Sequence, residues 1–499
     1  MWRTHFLGEE LREKPLCIFS VSNILLQGEI MKLYSSQKYW KTIFGKVRLF
    51  LIVSFLFSAH QLSAKTDPLR AKAEWTILVY AQAKNNLSNF AYKNFNDMAV
   101  IGSGTNLNIL VQWYQPDQQG VWRYKVEKGK LILDVCLPMN TDGNKAHDLV
   151  DSMRWAATKY PAEKYFLILW NHGIGIVDPL WGNQKPWSTT NKFAIDPSIL
   201  KDNPKICING ITCDDPSEEI LVDPSRLDEH ETTTFAQLHR GILFNEQSKT
   251  YMNNQVLTSA LSEIKTSVLN NQKINILGMD ACLMAMLEVG YQARNYVDYM
   301  VASQEVELAY GWNYLTFLQS FAAGRVSPAQ AAQSVVTSYQ SLYKDKIQFY
   351  TQSAIDLSYV DKLKTNLDSV IQHLGVCQRL DKDSLVDVIK RARRNCLQFS
   401  ATSYIDLHSF FIELNKSVEQ FFNKKFSSNY AVTQLKNAVN TAVSSIEQSI
   451  IANASGTYLT RAKGLSIYFP MNHIDGSYQH TEFAKDSLWF NFLKEIIYQ

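Results

Sequence analysis

Between residues 74 and 303 the chain repeats one unit, a continuously apolar run followed by a stretch with helical spacing. The runs are WTILVYAQ (75–82), NLNILVQWY (106–114), YFLILW (165–170), INILGMD (274–280) and DYMVAS (298–303). Helical spacing follows at 86–98, 147–160, 255–269 and 283–295, and a hairpin-like stretch occupies 121–133. A strand that is apolar without alternation is buried on both faces, which is the situation of a parallel sheet covered by helices on each side. The pattern therefore predicts an α/β/α sandwich with a mostly parallel sheet. Beyond residue 324 the spacing becomes largely helical, at 327–344, 358–373, 384–394 and 432–451, with one more strand, GLSIYFP, at 464–470.

The most hydrophobic segment, LFLIVSFLF (49–57), follows Lys41, Lys46 and Arg48 and precedes the small-residue stretch SAHQLSA. A basic region, a short apolar run and small residues describe an export signal, and the run is too short to span a bilayer comfortably. Cleavage is expected near Ala64, and the start of the chain is readable at either Met1 or Met31. The expected organisation is an N-terminal extension and signal at 1–64, an α/β domain at 65–325 and a mainly helical region packed on it at 326–499. Removal of the signal leaves 42 basic and 43 acidic residues. Such a balanced charge gives no electrostatic basis for a nucleic-acid partner. No lasting membrane span is expected after cleavage, and the periplasm, the cell surface and the medium all fit export.

Residues 178–239 break the rhythm with six prolines and the acidic cluster Asp214, Asp215, Glu218, Glu219, Asp223, Asp228, Glu229 and Glu231. A loop of that length inside a domain is usually functional or disordered, and it reads as a protease-accessible linker. None of the seven cysteines forms a C-x-x-C pair, so zinc is not expected and no metal ligands are assigned. Export permits disulfides, with Cys207–Cys213 and Cys377–Cys396 as candidate pairs.

Two of the apolar runs end in a reactive side chain. YFLILW runs into Asn171-His172-Gly173, and INILGMD into Ala281-Cys282-Leu283. Ligand sites of open parallel sheets form beyond the carboxyl ends of the strands, so neighbouring strands would present an imidazole and a thiol to one cleft. The imidazole accepts the thiol proton and later returns it to a leaving amine. Gly173 leaves room for a substrate backbone and for an amide aimed at a developing oxyanion. Taken singly, His172 reads as a satisfied core-edge histidine and Cys282 as a small buried apolar residue.

The strings LILWNHG (167–173), LGMDACLM (277–284) and VASQEVELAYGW (301–312), in that order, resemble the clostripain family of cysteine peptidases. AQAKNNL (81–87), RGILFNEQS (240–248) and LTSALSEI (257–264) are similar to further segments of that family. The resemblance implies a caspase-like fold, a Cys282/His172 dyad, and endopeptidase cleavage after a basic residue. It implies Asp280 near the floor of the S1 pocket, where a carboxylate pairs with Arg or Lys. The alternative role for Asp280 is capping of a helix that starts beside Cys282. Tyr310 stands where members with basic preference often carry an acidic residue, which weakens the expected cation pocket. Lys84 also departs from the family pattern.

The family's habit of cutting its own linker makes Lys185, Lys192, Lys201, Lys205 and Arg226 candidate self-processing sites. Calcium dependence is known among relatives, and the acidic cluster at 214–231 offers oxygen ligands, although without EF-hand spacing it reads first as a solvated loop. No other cofactor is expected. The expected enzyme is a monomer acting on peptides or proteins. The competing readings are a non-catalytic binding protein on the same fold and a thiol amidase or transpeptidase using the same dyad.

Overall fold

The computed structural model describes residues 72–115, 120–137, 142–178, 207–208, 242–426 and 429–498. The expected export signal, most of the linker, its acidic cluster and Cys213 lie outside the described residues.

Five strands form the parallel heart of a ten-stranded sheet: β1 (Ala73–Gln82), β2 (Leu107–Tyr114), β5 (Ala162–Trp170), β9 (Ile274–Asp280) and β10 (Val297–Ala302). Along one edge run β3 (Val121–Glu127), β4 (Lys130–Leu137) and the short β6 (Cys207–Ile208). Along the other run β11 (Thr351–Asp356) and β13 (Ile450–Ser455). The spatial order is β13-β11-β10-β9-β5-β1-β2-β3-β4-β6. Four short strands stand apart from it: β7 (Ile242–Asn245) pairs with β8 (Thr250–Met252), and β12 (Tyr404–Asp406) with β14 (Ser466–Tyr468).

Strand side chains alternate between faces, so each apolar run feeds two cores. From β1, Leu78 and Tyr80 enter one core while Trp75, Ile77 and Val79 enter the other; from β5, Leu167 and Leu169 part from Phe166 and Ile168 in the same way. Helix Ala146–Lys159 covers the first face with Leu149, Val150 and Met153, beside helices Asn254–Glu263 and Val360–Gln378. Helices Ser88–Ile101, Tyr314–Ala323 and Pro328–Tyr343 cover the second with Phe95, Phe317 and Val335. This is the three-layer α/β/α sandwich that the strand pattern predicts, in the caspase-like form that the resemblance implies. Among the described residues no helix is long and apolar enough to cross a membrane.

The C-terminal region does more than pack on the sheet, because β11 and β13 are two of its strands. Both escape a reading based on apolar runs: TQSAID is mostly polar, and IIANAS follows directly on a helix. The helix expected at 283–295 begins only at Leu287. Ala285 N–H is spent on Ser303 C=O (2.9 Å), and Ala285 C=O accepts from Ser466 N–H (2.8 Å), so the chain after Cys282 is held extended. A helix cap by Asp280 is therefore excluded. The Cys377–Cys396 pair is excluded too, since both are free thiols. Burial pushes them up to about 11 and about 12, and Cys396 Sγ donates to Arg393 C=O at 3.2 Å. Cys136 is disulfide-bonded.

Glu288 fastens the C-terminal region to the segment that follows Cys282. Its Oε1 accepts from Tyr468 N–H (2.9 Å) and Tyr478 O–H (3.0 Å), while buried Oε2 has no donor among the described residues. Burial pushes this carboxyl up to about 7. The unfolded chain thus gives up that proton at lower pH than the folded one does. The associated stability is whole below the ordinary carboxyl range and is lost as pH rises through about 7, on the order of 3 kcal/mol in all. Denaturant melts of Glu288→Gln beside the wild type should show a smaller loss of stability between pH 5 and pH 8 in the variant.

Candidate active site

Trp170, the last residue of β5, is in register with Asp280, the last of β9. One more bond, Asn171 N–H to Asp280 C=O at 3.3 Å, continues the ladder before the strands part. His172 and Cys282 each stand two residues past that pair. The loops that carry them stay in contact, because a Cβ added to Gly173 would lie 2.6 Å from the Cys282 carbonyl oxygen. Any larger residue would wedge the two loops apart.

Asn171 fixes the backbone of the histidine. Its side-chain N–H groups donate to Gln82 C=O and to Phe244 C=O (2.9 Å), and its Oδ1 accepts from the amides of His172 and Phe244 (3.1 Å). One side chain thereby ties β1, β5 and β7 together. The imidazole of His172, itself buried, meets Asn86 Oδ1 through Nε2 at 2.9 Å. The loop beyond is held by Tyr404 of β12, whose hydroxyl donates to Ile174 C=O (2.6 Å) and accepts from Val177 N–H (3.4 Å).

Cys282 is half-buried. The next residue, Leu283, is left-handed at φ 64°, a costly state for a branched side chain, and is held there by its amide bond to Glu305 C=O at 3.1 Å. Glu307 N–H points at Cys282 Sγ at 3.3 Å, a geometry that favours the thiolate, and the thiol reaches Glu307 C=O at 3.7 Å.

The side chain of the same Glu307 turns inward to Asp280, and both carboxyls are buried. Asp280 Oδ2 accepts from Trp312 N–H (3.3 Å) and Tyr314 O–H (2.8 Å). Glu307 Oε1 accepts from Gln352 Nε2 (3.1 Å), whereas among the described residues Oε2 has no hydrogen-bond partner. Burial, reinforced by the Asp280 charge, pushes Glu307 far up, while burial moves Asp280 up only to about 6. Glu307 is thus the protonated member, and the pair carries one negative charge near neutrality.

Tyr310 is buried as well. Its carbonyl accepts from Asn94 Nδ2 (3.1 Å), and the Lys93 ammonium lies 3.6 Å above its ring while pairing with Asp97 at 2.7 Å. Tyr310 therefore faces a cation and supplies no negative charge. Among the described residues no group of three or more His, Cys, Asp or Glu is arranged to hold a metal.

Sequence reasoning singled out His172, Gly173, Asp280, Cys282 and Tyr310, and the structure gathers them around the ends of β5 and β9. It missed Asn86, Asn171 and Glu307. Their only signal was position inside the strings AKNNL, WNHG and QEVEL.

A thiol and an imidazole at the carboxyl ends of adjacent parallel strands define the class of thiol hydrolases on an α/β/α sandwich. The chain belongs to the clostripain family of peptidases, whose family model matches residues 79–190 and 228–495, and it is a cysteine peptidase. The unmatched stretch 191–227 falls in the linker. No curated protein matches the chain in sequence. Among solved structures it is similar to a secreted C11 cysteine protease from Bacteroides thetaiotaomicron in complex with an irreversible peptide inhibitor. That likeness has 17% identity and TM-score 0.50 over 85% of this chain and 99% of that one. A secreted C11 cysteine protease of the same organism, called iotapain, gives 13% identity and TM-score 0.52 over 84% and 99%. At such identities the likeness speaks for the fold.

The contact at Gly173 makes a direct prediction. Gly173→Ala should lower kcat about tenfold or more by parting the His172 and Cys282 loops, while thermal melting shows a folded protein; unchanged kcat would mean that the loops tolerate separation.

Proposed function

We propose that the chain is an exported cysteine endopeptidase in which Cys282 is the nucleophile and His172 the general base. The observation that carries this reading is the packing of Gly173 on the Cys282 carbonyl beyond the paired residues Trp170 and Asp280. His172 takes the thiol proton as sulfur bonds to the scissile carbonyl carbon, and the carbonyl π electrons move to oxygen. The Gly173 amide, for which the described residues offer no acceptor, donates to that oxyanion. Collapse breaks the C–N bond, and the departing nitrogen takes the proton from His172. Water then attacks the thioester, giving its proton to His172, and collapse releases the acid and the thiolate. No cofactor enters these steps.

Cleavage after Arg or Lys is supported by the single negative charge of the Asp280–Glu307 pair. Tyr310 with Lys93 above it opposes a basic side chain, so the preference should be weaker than in a pocket with two ionised carboxylates. Two cations about 4 Å apart repel by roughly 1–4 kcal/mol near a protein surface. Lys93→Ala should therefore raise kcat/KM for an Arg substrate about threefold or more relative to one with norleucine. An unchanged ratio would remove Lys93 from the pocket.

Export is supported by the apolar run at 49–57 and by the disulfide at Cys136, since such bonds persist in oxidising compartments. Self-processing is supported by the basic residues of the linker, part of which the family model leaves unmatched. Purified wild type, Cys282→Ala and His172→Ala should be compared on fluorogenic peptides differing at P1, with and without calcium, while a denaturing gel follows the chain. Both variants should lose activity by about 10³-fold or more, and linker cutting should occur in the wild type alone. Hydrolysed ends rather than joined products would separate the peptidase from a transpeptidase. Turnover independent of Cys282 would overturn the assignment, and absence of all turnover would favour a binding protein.

A further inference from the structure

We propose that Asn86 is a positioning residue that sets the tautomer and orientation of His172, so that a third side chain acts through the imidazole of the pair. The inference rests on the assignment of His172 as the base. Asn86 Oδ1 stands 2.9 Å from His172 Nε2. An amide oxygen only accepts, so the proton at this contact belongs to Nε2, and in the neutral ring the basic lone pair is then on Nδ1.

The loop that carries Asn86 is built for such a task. Asn85, one residue earlier, is buried; its Oδ1 accepts from Leu87 N–H at 2.9 Å and its Nδ2 donates to Phe244 C=O at 2.9 Å. Asn171 donates to the same Phe244 carbonyl and holds the backbone of His172. Donor and acceptor of the Asn86–His172 bond are thus both referred to one carbonyl on β7. Asn86 itself is exposed, and its side chain contributes little to the core. An exposed polar residue whose backbone is fixed on both sides and whose amide meets a buried imidazole is explained by what it does to that imidazole.

Its electrostatic effect has a definite sign. The Asn86 carbonyl dipole favours the imidazolium and therefore the thiolate–imidazolium pair over the neutral pair. Removing it should move thiolate formation to higher pH and imidazolium deprotonation to lower pH, narrowing the active range. A carboxylate at the same place should widen the range on both sides. The ionisable groups on the elements packed around the ring are Cys282, Asp280 and Glu307 on the nucleophile side and Lys84 on the loop of Asn86. Lys93 and Asp97 lie on the following helix, Asp178 beyond the His172 loop, Glu246 after β7 and Tyr404 on β12. All are common to the variants compared, so a difference between variants reports on position 86.

The test is the full chain as wild type, Asn86→Ala and Asn86→Asp, with Cys282→Ala as control. Peptide kcat and KM, and the rate of Cys282 alkylation by iodoacetamide, are followed from pH 4 to pH 10. Asn86→Ala should lower kcat about tenfold or more with KM within about threefold. Its alkylation profile should rise at a pH higher by about half a unit or more, and that of Asn86→Asp at a lower pH than wild type. Melting temperatures should stay together. Superimposed profiles for all three proteins would overturn the inference, as would equal displacement of both variants in one direction, which is the mark of a merely structural role. If Cys282→Ala remains active, the underlying assignment has failed; if it is dead while Asn86→Ala is as fast as wild type, only the role of Asn86 has failed.

Discussion

The site depends on the register between β5 and β9. Parallel strands step together, so one pairing, Trp170 with Asp280, determines which residues leave the sheet side by side. A slip of one residue would turn every side chain of β5 to the opposite face and bury Phe166 and Ile168 in the wrong core. Because both strands are covered on each side, such a slip would cost most of the apolar burial of two elements. The placement of His172 beside Cys282 is thus enforced by the hydrophobic packing of residues that take no part in chemistry.

Beneath the thiol the structure resolves an electrostatic conflict. Two ionised carboxylates buried under a thiolate would oppose its formation. The Asp280–Glu307 pair avoids this by keeping a proton, which is why burial and mutual repulsion fall on Glu307 rather than being shared equally. The backbone of the same residue supplies the compensating N–H to Sγ. Glu307 therefore lowers the negative charge near Cys282 with its side chain and favours a Cys282 thiolate with its amide. Replacing the acid by an ionised partner at this depth would remove the first effect and leave the second working against a larger field.

Much of this was legible in the sequence, for an identifiable reason. Continuous apolar runs mark strands buried on both faces, and all five strands of the parallel heart were visible in that way. The strands β11 and β13 were not, because TQSAID and IIANAS mix polar and small residues and lack the continuous apolar run that marks a buried strand, although β11 is paired on both sides and buried. His172 and Cys282 stood out by ending two such runs. Asn86 and Glu307 did not, since an asparagine in a turn and a glutamate in a loop are ordinary residues until a distance of about 3 Å gives them partners. The late start of the helix after Cys282 was hidden for the same reason: the extended stretch is imposed by Ser303 and Ser466, which lie far away along the chain.

The connection from β5 to β9 carries the long insertion, and the described residues explain why the register tolerates it. On the near side, the Asp178 carboxylate accepts from Tyr251 O–H and from Asn253 Nδ2 (3.3 Å), and its amide donates to Ser477 Oγ at 2.9 Å. On the far side the chain resumes in β7, locked by Phe244 to Asn171. The two ends of the insertion are therefore held by bonds among residues 171–178, 242–253 and 477. A backbone cut anywhere between 179 and 241 leaves these bonds and the β5–β9 ladder in place. A cut there leaves the placement of His172 and Cys282 unchanged, which is the physical condition that the proposed self-processing requires.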